Sequence, residues 1–114
     1  MRKLAGFNYI PRVTSVASSG TPTPNVDTTD QYQLTALAAA AAFGNPSGTP
    51  ENGQPLVIRI KDDGTARALT WGTNYRGIGV TLPATTTIGK TLYIGFKYNS
   101  ADTKWDCLAI GQQA

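Results

Sequence analysis

A chain of 114 residues with 15% charged side chains and a formal net charge of +3 is long enough to bury one hydrophobic core. It contains no histidine, which removes the commonest general base and the imidazole metal ligand, and so excludes hydrolytic triads in their ordinary form. Its single cysteine, Cys107, excludes an intrachain disulfide and suits assembly in a reducing cytoplasm.

Low charge together with abundant Thr, Gly and Ala points to a β-rich, tightly turned protein. Arg2, Lys3 and Arg12 give residues 1–26 all of the excess positive charge, because seven basic and seven acidic residues balance from Asp27 onward. Three dispersed cations are a thin footprint for nucleic acid, so no nucleic-acid partner is expected. The opening MRKLAGFNYIPRV is interrupted by Gly6, Asn8 and Pro11, which makes it a poor signal peptide. No segment reaches transmembrane length, and no membrane partner is expected.

Residues 1–13 read as an arm. Leu4, Phe7, Tyr9 and Ile10 lie beside Arg2, Lys3 and Arg12 on a segment too short and too interrupted to fold alone, and Pro11 keeps it from helix. These seven residues are the candidate partner-binding set, with the aromatics as anchors. TSVASSGTPTPNV, residues 14–26, reads as an extended linker without a core of its own. The chain thus divides into an arm and linker over 1–26 and a globular domain over 27–114.

Gln31 to Phe43 carries two signals. Five consecutive alanines after Leu37 favour helix, whereas Tyr32, Leu34 and Ala36 alternate with Gln31, Gln33 and Thr35 as in a strand, and a broken strand is the reading preferred here. After a turn-rich stretch from Asn45 to Gly53, the block QPLVIRIKDDGTARALTW over 54–71 reads as two strands joined at Asp63-Gly64 by a type I′ turn, with Leu56, Ile58 and Ile60 on the buried face. Gly72 to Pro83 holds short extended pieces around Tyr75 and Val80. Leu92, Ile94, Phe96 and Tyr98 then alternate with Tyr93, Gly95 and Lys97, and a turn over 99–103 returns the chain into Lys104 to Ile110, where Trp105, Cys107 and Ala109 share a parity. Seven or eight short strands at this spacing predict an all-β fold, an antiparallel β-sandwich of jelly-roll type with an extended N-terminal arm.

Little of this carries chemistry. Asp62-Asp63 reads as a solvated turn, since neighbouring side chains there point apart. ATTTIGKT, residues 84–91, ends like a phosphate-binding loop, but Ala84 replaces the opening glycine and the period-two run from Leu92 leaves no helix to follow it. Cys107 reads as a small core residue. Trp71 and Trp105 read as core or interface, which leaves Tyr75, Arg76 and Tyr93 as candidates for an exposed contact. No catalytic, cofactor-binding or metal-binding residue is assigned, and the chain is not expected to be an enzyme.

The run GQPLVIRIKDDGTARALTWGTNYRGIGVTLPATTT, followed by KTLYIGFKYNSADTKWDCLAI and preceded by DTTDQYQLTALA, resembles a small β module of tailed-bacteriophage structural proteins over about residues 27–112. The resemblance implies a virion component that works with other virion proteins, such as the major capsid protein or tail and fibre proteins. A short arm ahead of the module favours a free-standing capsid decoration or cement subunit. The alternative is a tail or head fibre appendage that binds a host receptor or glycan. Self-association is expected, as a trimer by analogy with virion symmetry.

Overall fold

The computed structural model describes residues 10–114, and within them the chain is all-β with no helix. Eight strands follow one another: β1 Val13–Val16, β2 Gln31–Leu37, β3 Ala41–Phe43, β4 Pro55–Asp62, β5 Leu69–Trp71, β6 Tyr75–Gly77, β7 Leu92–Asn99 and β8 Lys104–Gln112. Six form one sheet in the order β1-β2-β4-β7-β8-β6, and β3 and β5 form a separate pair.

Between the eight strands, the antiparallel expectation holds only in the middle of the large sheet, where β4 meets β7 and β7 meets β8. All other pairings, β1–β2, β2–β4, β3–β5 and β6–β8, are parallel. Parallel neighbours require the chain to cross over rather than turn back. The Gly- and Pro-rich segments, which read as tight turns, are those crossings. The predicted hairpin over 54–71 is corrected on this ground, since β4 and β5 do not pair at all. At its expected turn only Gly64 has positive φ, at 106°, whereas a type I′ turn requires two such residues.

The core is built by alternation. Leu56, Ile58 and Ile60 of β4 and Ile94 of β7 are fully buried and meet Tyr32 and Leu34 of β2, Leu92 and Phe96 of β7, and Trp105 and Cys107 of β8 on the same face. Each such aliphatic side chain contributes roughly 1.5–3 kcal/mol through removal of its surface from water. The β3–β5 pair lies on this face through aromatic contacts. Phe43 stacks on Trp71 with centroids 4.4 Å apart, Trp71 and Tyr75 meet edge-on at 5.3 Å, and Tyr75 reaches Phe96 of β7 at 5.3 Å.

The alanine run is a broken strand. Ala36 and Ala38 donate to the Ala17 carbonyl and the Ser18 hydroxyl, and Ala42 donates to the Gly20 carbonyl, so pairing with the preceding segment overrides helix propensity. The same bonds correct the linker. Residues 14–26 contribute β1 and lie along β3, with Gly44 and Ser47 donating to the carbonyls of Pro22 and Pro24. Pro22, Pro24 and Val26 are themselves fully buried. Prolines fit here because the neighbouring chain needs only their acceptors. The packed domain therefore starts well before Asp27. In β8, a register shift between Gly95↔Ala109 and Phe96↔Cys107 leaves Leu108 as an extra residue. Ala109 is turned outward by it, against the shared parity expected with Cys107.

Candidate interaction surfaces

Of the arm residues, Arg2, Lys3, Leu4, Phe7 and Tyr9 lie outside the described residues. Ile10 is exposed. Arg12 is already engaged within the chain. Its Nε and Nη2 donate to the two carboxylate oxygens of the buried Asp30 at 3.1 and 2.9 Å, and its Nη1 donates to the Asp27 carbonyl at 2.6 Å. Its main-chain amide also donates to Asp30 Oδ2 at 2.8 Å, while its carbonyl accepts from the amides of Asp30 and Gln31. A forked guanidinium–carboxylate contact of this kind fixes geometry as well as charge. The expected partner cation is thus an anchor for the start of β1.

The three residues expected in an exposed contact separate. Tyr75 is buried among Phe43, Trp71 and Phe96, its hydroxyl donates to the Gly44 carbonyl at 2.9 Å, and burial raises its pKa well above the usual phenol value. It is a core residue, corrected because β6 is the inward-turned edge of the sheet over the aromatic cluster. Arg76 donates through Nε and Nη2 to Asp106 at 2.7 and 3.2 Å and through Nη2 to Asp102 at 3.0 Å, bonds that hold its guanidinium above its ordinary pKa. It ties β6 to β8 and the β7–β8 turn. Tyr93 alone stands out, 44% exposed and directly opposite Arg59 of β4.

Around Tyr93 the outward face of the sheet is low. Gly95, Ala109 and Gly111 place almost no side chain above the backbone, and Arg59 and Lys97 rise beside them. Leu108, which has the parity of Asp106 and is 52% exposed, adds an apolar point. A shallow depression of about 460 Å³ lies between Thr91, Tyr93, Gly111 and Gln113. It brings together no nucleophile and base, and no group of three or more His, Cys, Asp or Glu stands ready for a metal ion among the described residues.

Asp62 is the polar residue the sequence reading misplaced. It continues the parity of Leu56, Ile58 and Ile60, and is buried rather than solvated. Its Oδ1 accepts from the amides of Gly89 and Gly64, both at 3.0 Å, and its Oδ2 from the Thr86 hydroxyl at 2.7 Å. The Gly89 amide above all holds the carboxyl below the usual range against the opposing effect of burial, with help from Thr86, Gly64 and the Arg67 charge. In the phosphate-loop look-alike, then, the Gly89 amide serves an internal carboxylate, and a strand follows instead of a helix.

Cys107 is fully buried beneath the sheet, its thiol close to the Ala109 carbonyl, and burial raises its pKa. The thiolate is the reactive form. Iodoacetamide should therefore label it negligibly in the folded protein and rapidly in urea, read by intact mass; equal rates in both would contradict the packing of β8. No family model, curated protein or solved structure matches this chain.

Proposed function

We propose that this chain is a non-catalytic structural subunit of a tailed-bacteriophage virion, a capsid decoration or cement protein that docks on other virion proteins through its N-terminal arm. In this reading the β3–β5 pair over the large sheet forms the second layer of a sandwich, and the chain associates with itself. The observation that carries the proposal is the Arg12 clamp. With its main chain and side chain both bonded to Asp30, the residue just ahead of the edge strand is held fixed between the exposed Ile10 and Val13, which gives the arm a set root. A fixed root reduces the entropy lost when a short segment orders on a partner.

The test uses particles. Replacing Phe7 and Tyr9 together by Ala should lower occupancy on purified virions at least about tenfold, because buried aromatic anchors commonly contribute 2 kcal/mol or more to an interface. Undiminished occupancy would move the attachment to the sheet and away from the arm. The second reading, a receptor- or glycan-binding appendage, is favoured by one feature only: Tyr93 exposed beside Arg59 on a flat face. In that case Tyr93→Ala would reduce host adsorption and leave occupancy unchanged.

A further inference from the structure

A strand at the edge of a sheet presents unpaired main-chain groups, and folded proteins usually cover them. Most edges of this fold are covered. On the β3–β5 pair, Ala42 and Gly44 of the β3 side donate to Gly20 and Pro22, and on the β5 side Leu69 donates to the Ala84 carbonyl while Thr86 donates to that of Arg67. At the β6 edge the strand is short, the Tyr75 amide turns back onto the Gly72 carbonyl, and the Val80 main chain packs against Gly77.

The edge formed by β1 differs. Arg12 accepts from the Asp30 and Gln31 amides, so alternation turns the main chain of Thr14 and Val16 toward β2 and that of Val13 and Ser15 outward. Among the described residues nothing bonds the outward amides and carbonyls of Val13 and Ser15. The strand reads VTSV, with no charge, proline or bulge inside it, and of the usual devices that discourage edge pairing it has only its shortness, four residues. Val13 is 52% exposed, and Ile10 just ahead of it 56%.

The geometry points to self-association through this edge: two copies pair β1 with β1, antiparallel about a twofold axis through Thr14. In that register Val13 exchanges both main-chain bonds with the partner's Ser15, and Ser15 does so with the partner's Val13. Residues of like parity face one another, so the outward face of one sheet continues into that of the next. The occupant is a second copy because the segment is self-complementary. It is uncharged from Val13 to Ser19, and the nearest cation, Arg12, is neutralised by Asp30, so the twofold brings no like charges together. A single open edge closes after one pairing, which replaces the threefold expectation with a dimer. The inference stands apart from the virion role, since association is read on the purified chain and the virion role on particles.

Ser15→Pro is the decisive variant. Proline removes the outward amide of Ser15 and, with its hydroxyl, one exposed bond accepted from Gln33 Nε2 at 3.2 Å; it suits an edge strand and keeps Thr14 in the extended region it already occupies. Sedimentation of the wild-type chain at micromolar concentration should give twice the 12.1 kDa of one chain, and Ser15→Pro should give the single-chain mass with an unchanged circular dichroism spectrum. Val13→Lys, which places two like charges near the axis, should do the same. In the wild-type protein the Val13 and Ser15 amides should gain protection from hydrogen exchange as concentration rises, a reading that holds even if a variant folds poorly. A wild-type monomer, a trimer, or dimerisation unaffected by both variants would overturn the proposal.

Discussion

Replacing Trp105 by Ala should destabilise the domain by about 3–5 kcal/mol, the range seen when a large buried aromatic is truncated. Trp105 is 1% exposed, sits opposite Tyr98 across the β7–β8 ladder, and packs against that ring at a centroid distance of 4.9 Å. Its removal leaves a cavity that the surrounding sheet cannot close, because its neighbours are fixed by strand pairing on both sides, to β7 and to β6. The urea midpoint should fall sharply with little change in slope. Leu108, three residues along the same strand, provides the contrast. It has the opposite parity and is half exposed, so Leu108→Ala should stay within about 0.5 kcal/mol of wild type. Similar losses for both would show that Leu108 is packed as tightly as Trp105.

Local alternation was legible, and pairing was not. The buried sets of β4 and β7 follow from period two, because one face of each strand meets the core and the other meets solvent. The broken strand over 31–43 was legible in the same way, from Tyr32 and Leu34, against the propensity of the alanines. Partner choice depends on where the connections travel. Asp63-Gly64 has the composition of a hairpin turn, yet Asp62 is pulled inward by the Gly89 amide and the chain after it runs to β3. Such a crossing is set by contacts distant in sequence, and no window of neighbouring residues contains them.

The surface was legible to the same degree. Tyr93 is legible as outward because its strand alternates cleanly, whereas the inward face of Tyr75 was hidden because a three-residue strand has too little alternation to reveal it. Arg12 looked like a partner contact because its charge had no acidic neighbour in sequence; Asp30 supplies one from just ahead of β2, eighteen positions away. The open edge at Val13 and Ser15 had no sequence signal either. VTSV within a Ser- and Thr-rich stretch looks like linker until β2 lies beside it.

Asp62→Ala should destabilise the domain by about 1–3 kcal/mol, since it removes the acceptor of three donors, of which the buried Thr86 hydroxyl alone costs roughly that much when left unpaired. Those donors are the Gly64 and Gly89 amides and the Thr86 hydroxyl, so the carboxylate joins the end of β4 to two separate loops. Asp62→Asn should cost less, because its carbonyl can still accept from both amides and the Thr86 hydroxyl can reorient toward the new amide. What the Asn variant loses is charge, and pH reports that loss. A carboxyl whose pKa is lowered by folding binds its proton more weakly in the native state than in the unfolded one. Its stabilising contribution is therefore complete above the ordinary carboxylate pKa near 4 and disappears as pH falls through the lower native value. Wild-type stability should accordingly decline more steeply than that of Asp62→Asn as pH is taken from about 5 toward 2, with the two curves converging at the acid end. Parallel curves across that window would mean that the Gly89 amide does not favour the ionised form, and the loop over 84–91 would then be held by something other than Asp62.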